Sequence, residues 1–287
     1  MKEILNYKYN TKKDRVDYYS NELYKKIDFS KSYPANLKRL NIIISLLKKY
    51  KPKKIVDAGC GAGIPLIKIK KLGFNITGYD RSRTMVQEGK KNLKKFNLNS
   101  NLISWGNFED PKIQKNNSLD CILGMGTFYY SKNFKKTITL QTKKLKKNGR
   151  LIFSLRNQLF DMATMNDYSA NFLSDLYNIK KYNKNIQTKF NKYFLSYNKK
   201  KKINFKNVDG KKIFSKRHNP LIIEKDLLRL NLSLQGIYFY HFHFLPTEFE
   251  SIFPIKYRKE SWKIENPTDW RGYFLASCFI VDCKKIK

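Results

Sequence analysis

Cysteine, histidine and arginine are all scarce in this chain, and each scarcity narrows what it can do. Its four cysteines (Cys60, Cys121, Cys278, Cys283) each sit in or beside an apolar run, and no two stand at metal-ligand spacing. With three histidines to help, the pattern argues against a disulfide framework or a zinc site, so no metal is expected. Long apolar runs are missing too. No stretch approaches the roughly 18 residues a membrane span needs, and the first twenty residues lack a signal-peptide core. These absences point to a soluble, cytoplasmic protein with reduced thiols. Acidic residues are the last shortage: 23 stand against 59 basic ones, a formal charge of +36. Such a field attracts polyanions. Yet only ten of the 59 are arginine, the residue phosphate and base readers favour for its planar fork. The lysines accompany abundant Asn and Ile, all spelled by A/T-rich codons, so genome composition accounts for most of the charge.

What is present is enough for one sizeable core, with 41% apolar and 15% aromatic residues. Residues 15–50 read as helical, most clearly 35–50, where Leu37, Leu40, Ile43, Ile44 and Leu47 form a stripe behind Pro34. A β-rich run, 54–58, stops at a glycine cluster. Helices over 64–72, 82–97 and 134–147 then alternate with strands over 75–80, 102–105, 119–124 and 150–155. That rhythm predicts an α/β fold: a doubly wound, seven-stranded, mostly parallel sheet with helices on both faces. Residues 157–235 break the rhythm, and alternation at 190–197 and 202–205 suggests an antiparallel excursion. A helix over 224–232 and strands over 236–245 and 272–283 follow. The organisation expected is an N-terminal helical segment with a nucleotide-binding core (1–157), an insertion lid after the fifth strand (158–235), and C-terminal strands completing the sheet (236–287).

The chemistry is carried by Val56-Asp57-Ala58-Gly59-Cys60-Gly61-Ala62-Gly63, a strand entering a glycine turn that opens a helix. Glycines let the backbone bend sharply and approach a ligand, and the helix start offers free N–H groups. Asp80 ends the next strand, about 20 residues on, where an acid is suited to ribose hydroxyls. Dinucleotide sites want G-x-G-x-x-G, whereas here the third glycine comes one residue early and an Asp stands two before the first. From about 55 to 155 the chain resembles the class I S-adenosylmethionine-dependent methyltransferases. That resemblance implies S-adenosyl-L-methionine as cofactor. It sets Gly59, Gly61 and Gly63 against the methionine part, with Asp57 orienting it and Asp80 on the ribose. It also puts Asn107 at the adenine amine, where the family usually has an acid, and Phe108 on the ring. Gly124 would let the backbone approach the cofactor amine.

The segment after the fourth strand, Met125 to Tyr130, lines the transferred methyl in that class, which brings in Tyr129 as a catalytic candidate and Tyr130 as a substrate contact. A hydroxyl acceptor would gain from a general base, and His241 and His243, two apart on a predicted strand, are the candidates. Arg156 follows the fifth strand on the substrate side, where its fixed charge would suit a phosphate or carboxylate. His218, in the lid, is a further substrate-binding candidate. The stretch Arg156-Asn157-Gln158-Leu159-Phe160 resembles methyltransferases of bacterial surface-saccharide pathways. The expectation is therefore methyl transfer to a small-molecule acceptor, a saccharide hydroxyl or another metabolite, with an anionic group suiting Arg156. The alternative is an RNA- or DNA-directed enzyme using the Lys- and Tyr-rich 179–217 stretch. No Asn-Pro-Pro-Tyr or Asp-Pro-Pro-Tyr run follows the fourth strand to support it.

Overall fold

The computed structural model describes residues 27–164, 167–197 and 215–287. Helix α1 (Ala35–Tyr50) starts at Pro34 and ends on Lys51, whose left-handed backbone lets its N–H reach the Leu47 carbonyl. It buries the predicted apolar stripe from Leu40 onward, half-covers Leu37, and buries Arg39 with them. Strand β1 (Ile55–Ala58) is buried throughout, as a central parallel strand covered on both faces has to be. Then come α2 (Ile64–Lys71), β2 (Ile76–Asp80), α3 (Arg83–Lys95), β3 (Ile103–Trp105), β4 (Leu119–Gly124), α4 (Phe134–Lys144) and β5 (Leu145–Asn157). Ser82 caps α3 by accepting the Met85 N–H at 3.2 Å, as predicted from its type and place. Asn133 caps α4 in the same way, through the Lys136 N–H at 3.0 Å.

The remaining elements are α5 (Asp167–Leu176), α6 (Lys184–Tyr197), β6 (Arg217–His218), α7 (Ile223–Leu228), β7 (Leu232–Phe242), α8 (Pro254–Lys263), α9 (Gly272–Leu275) and β8 (Ala276–Lys285). The sheet order is β3-β2-β1-β4-β5-β8-β7, with the first five strands parallel and β8 antiparallel to both neighbours. Helices α1, α2 and α3 cover one face; α4 and α7 cover the other. This is the doubly wound α/β architecture, and seven of its strands are those expected. An eighth, β6, pairs two residues in parallel with the end of β5, beyond where β4 stops. Two residues are too few to leave a pattern in sequence.

Four element expectations need correction. Residues 190–197 lie in α6 rather than in a strand: Asn183 accepts the Ile186 N–H at 3.1 Å, and Ile186 and Phe190 stand at helical spacing. Residues 202–205 lie outside the described residues. The strand expected from Gly272 begins only at Ala276, because Asp269 accepts the Arg271 N–H at 2.9 Å and starts a turn of helix. Tyr273 is apolar there to pack on Phe239, at 4.7 Å between ring centroids. The helix expected over 134–147 stops at Lys144, and Asn148, with φ 62°, bends the start of β5. The helix expected over 224–232 closes at Leu228, and β7 takes over at Leu232.

No helix among the described residues is long and apolar enough to cross a membrane. Among the same residues, no group of three or more His, Cys, Asp or Glu side chains is arranged to hold a metal.

Candidate functional site

The glycine turn folds as its composition demands. Gly59 (φ 86°) and Gly63 (φ 75°) occupy the left-handed region that disfavours any side chain. Space excludes one as well: a Cβ on Gly59 would lie 2.3 Å from Thr127 Cγ2, and one on Gly63 2.3 Å from Ile103 Cδ1. Gly61 differs. A Cβ there would meet nothing within 4 Å, because this residue faces a cavity. The turn is locked to β2 by Gly59 and Cys60 N–H groups donating to the Tyr79 carbonyl at 2.8 and 3.0 Å.

That cavity lies over the C-terminal ends of β1, β2 and β4, where open parallel sheets bind ligands. Its floor is the 59–63 turn with Asp57; its sides are Asp80, Arg81, Met85 and Phe108; its far end is Met125, Gly126, Thr127 and Tyr130. Arg39 closes it from α1. Asp80 fixes the turn, one carboxylate oxygen accepting the Gly61 N–H at 2.9 Å and the other the Ser82 N–H at 2.9 Å. Burial raises Asp80 above the ordinary carboxylate range although both N–H groups favour its charge.

Asp57 is the distinctive group. It is sealed inside the protein, and its Oδ1 has no hydrogen-bond partner among the described residues. Burial, with Asp80 adding to it and Arg39 opposing, pushes its carboxyl up to about 8. A buried acceptor left open is costly unless a ligand donor meets it. A donor carrying positive charge would satisfy the oxygen and restore its ionisation together. The residues thus fit a ligand with an ammonium group near Asp57 and hydroxyls near Asp80.

The other sequence candidates fall into separate groups. Phe108 walls the cavity, but Asn107 does not line it, because its amide oxygen accepts the Glu109 N–H at 3.0 Å. A short polar side chain often closes such a local turn. Gly124 lies below the cavity, where a Cβ would press on Phe128 at 2.9 Å; Gly126 takes the exposed place. Tyr129 is buried behind Tyr130, and burial holds its phenol well above the ordinary range, so it stays protonated. Arg156 lies with its charge 5.2 Å from the Tyr129 ring. His218 packs on Phe134 at 4.5 Å, and burial pulls it down to about 4.

His241 and His243 do come together, with ring centroids 4.6 Å apart, yet neither lines the cavity. His243 is sealed in. Its Nδ1 lies 3.0 Å from the Tyr257 hydroxyl, which itself donates to the Leu245 carbonyl, so Nδ1 carries the proton. Burial and His241 keep that ring neutral. His241 has a left-handed backbone (φ 61°), held by its N–H donating to Glu265 at 3.1 Å, and its ring stacks on Tyr33.

Sequence reasoning missed Arg39 and Met85 as walls of the cavity, and Glu265 as the acid that holds the His241 backbone. Arg39 had a signal: it is a charged residue on the buried side of an otherwise apolar stripe. Glu265 had none, since a lone acid in a loop looks like any solvated one.

Comparison with known proteins supports the same fold. The chain is similar to magnesium protoporphyrin IX methyltransferase from Synechocystis PCC 6803 (TM-score 0.56, 13% identity, 98% of each chain covered). It is also similar to a possible histamine N-methyltransferase from Thermotoga maritima (0.53, 15%, 95% of each). A third likeness is a sarcosine dimethylglycine methyltransferase homologue from Galdieria sulphuraria (0.52, 14%, 87% and 86%). An uncharacterized Haemophilus influenzae protein shares 30% identity over 139 residues, 46% of this chain and 54% of that protein. The chain thus spans about half the length of that curated relative. The methyltransferase domain family matches residues 49–208, which is more than half of the sequence and includes the whole glycine turn and most of the cavity. The chain belongs to this methyltransferase family, and its fold is that of the S-adenosylmethionine-dependent members.

Proposed function

We propose that this protein transfers a methyl group from S-adenosylmethionine to a small-molecule acceptor, a saccharide hydroxyl or another metabolite. The observation that carries the reading is an Asp57 oxygen without a partner among the described residues, in a cavity that also holds Asp80 and ends at the Met125–Tyr130 segment. Bound S-adenosylmethionine supplies a methyl already activated by its sulfonium. The chain's task is then to hold the donor, align the acceptor and exclude water. Asp57 receives the ammonium and Arg39 the carboxylate of the methionine part, while Gly59, Gly61 and Gly63 let the backbone lie against it. Asp80 accepts from the ribose hydroxyls, and Phe108 packs on the adenine, with Asn107 shaping the turn that presents it. Gly124 lets the 125–127 segment lie close beneath the methyl.

On the acceptor side, Tyr130 forms the wall nearest the methyl, and Tyr129, protonated, orients it. For a hydroxyl acceptor, His241 is the better base, because His243 is sealed in a bond with Tyr257. His218 belongs to the lid's inner edge, where the 158–235 insertion meets the sheet through β6. We assign the cavity to a core of residues 1–157 completed by the strands of 236–287. A cytoplasmic location suits the buried free thiols.

A nucleic-acid acceptor is the second reading. The +36 charge and the exposed Tyr177, Tyr182 and Tyr193 of the insertion favour it. Calorimetric titration with S-adenosylmethionine and separately with NAD tests the first reading, using wild type and Asp80→Ala. Micromolar binding of the former alone, weakened by the substitution, supports it, and absence of binding sinks it. Acceptor assays against hydroxylated metabolites and RNA at low and high salt then divide the two readings. Turnover on RNA should fall steeply with salt.

A further inference from the structure

Arg150, Arg217 and Arg258 are largely enclosed, and each meets a carboxylate. Arg150 lies 3.3 Å from Asp282, while Arg217 and Arg258 lie 2.6 Å from Asp161 and Glu250. Burying a fixed charge demands such a partner. Arg156 breaks the pattern. It is part-buried among Tyr129, Tyr130, Tyr240 and Cys278, and no Asp or Glu lies within 4.0 Å among the described residues. Its one hydrogen bond there is from Nη1 to Cys278 Sγ at 3.5 Å.

Its position gives the missing carboxylate a meaning. Arg156 stands two residues beyond Ser154, so both side chains project from the same face of β5. The Ser154 hydroxyl accepts the Gly126 N–H at 2.8 Å, and Gly126 lines the far end of the cavity. The Arg156 charge lies 5.2 Å from the Tyr129 ring, and Tyr129 packs at 4.4 Å on Tyr130, which lines that end of the cavity.

We propose that Arg156 selects the acceptor by pairing its guanidinium fork with a carboxylate or phosphate on a small molecule whose reactive atom lies at the Gly126–Tyr130 end of the cavity. This deepens the methyl-transfer reading and rests on it. A planar fork binds two oxygens of such a group at once, which fixes orientation as well as charge. Cys278 is an incomplete substitute for that anion. One sulfur engages one nitrogen, and the other guanidinium N–H groups have no partner among the described residues.

The test titrates full-length protein, free and loaded with S-adenosylhomocysteine, with benzoate, phenyl phosphate and the neutral isostere benzamide, followed by ligand-observed NMR. Wild type should bind at least one anion about tenfold more tightly than benzamide, and Arg156→Gln should remove that preference. Arg156→Lys keeps the charge without the fork and should lose about threefold to tenfold of anion affinity. It also serves if the glutamine variant does not fold. Equal binding of benzamide, anion binding unchanged in both variants, or no anion binding to wild type would overturn the proposal. Affinity for S-adenosylhomocysteine is read in the same samples. Its absence in wild type refutes the methyl-transfer reading, whereas a failure of anion selectivity alone refutes only the role of Arg156.

Discussion

Two buried carboxylates on the sheet show how differently its two halves treat a polar group. Asp282, on β8, is fully enclosed; one oxygen accepts the Tyr50 hydroxyl at 2.8 Å, and Arg150 lies at 3.3 Å. Arg150 in turn stacks on the Tyr50 ring at 3.7 Å, so acid, base and phenol form a closed unit. Asp57, on β1, is as deeply buried but keeps one oxygen without a partner among the described residues. The Asp282 charge is satisfied by the protein's own Arg150 on β5 and Tyr50 on α1. The parallel half leaves the Asp57 carboxyl with an open oxygen, among the described residues, at its C-terminal edge. A buried carboxyl that has an unsatisfied oxygen and also faces a cavity is a strong pointer to where a ligand belongs.

Substitutions on each side should break the comparison in opposite ways. The largest effect belongs to Gly59→Val, which forces a branched side chain onto positive φ and into Thr127. We expect a loss of about 4 kcal/mol of stability in chemical denaturation, and no measurable cofactor binding in whatever folds. Asp282→Ala strands the Arg150 charge and should cost about 3 kcal/mol, while S-adenosylmethionine affinity by calorimetry stays within about twofold. A large loss of affinity there would show that the two halves are not separate in role.

Asp57→Asn should do the reverse, lowering cofactor affinity by about thirtyfold, or about 2 kcal/mol. Its effect on stability has a sign fixed by the raised pKa. The folded carboxyl titrates at about 8 against 3.8 for the unfolded chain, so ionisation opposes folding as pH rises between those values. In melts without cofactor, the melting temperature of the variant relative to wild type should therefore climb from pH 5 to pH 8 and level off above. A flat difference would mean that Asp57 is already ionised in the free protein.

The smallest effect concerns Cys278. Burial raises its thiol, but the Arg156 charge and bonds from His241 and Ser277 outweigh this and bring it down to about 6. A lowered acid stabilises the fold above its unfolded value and loses that contribution as pH falls toward the folded one. The stability advantage of wild type over Cys278→Ser should be about 1 kcal/mol near pH 7, vanish below pH 6 and widen toward pH 9. If the advantage is constant with pH, Cys278 acts there as a neutral apolar residue.

Most of the cofactor half was legible in the amino-acid sequence. The stripe of α1, the glycine turn, the Ser82 cap and the strand endings at Asp80 and Gly124 all depend on residues close in sequence, where local periodicity and turn chemistry dominate. The second half was harder for a physical reason. Gly272–Leu275 has the apolarity of a strand, yet it coils because Asp269 caps it and Tyr273 has Phe239 to cover. The insertion's α6 carries Tyr and Phe at spacings that a short strand or a helix can both satisfy.

The sequence by itself determined that the chain alternates strand and helix, where it turns around a ligand, and which donor that turn suits, because these are properties of short segments. Only the tertiary structure decided that Asp57 keeps an open oxygen while Asp282 does not. It alone decided that Arg39 closes the cavity, that His243 is sealed by Tyr257, and that Arg156 lacks, among the described residues, the carboxylate that Arg150, Arg217 and Arg258 have. Each of these depends on which distant segments the sheet order brings together, and a buried charge is either paired or left open only once that packing is complete.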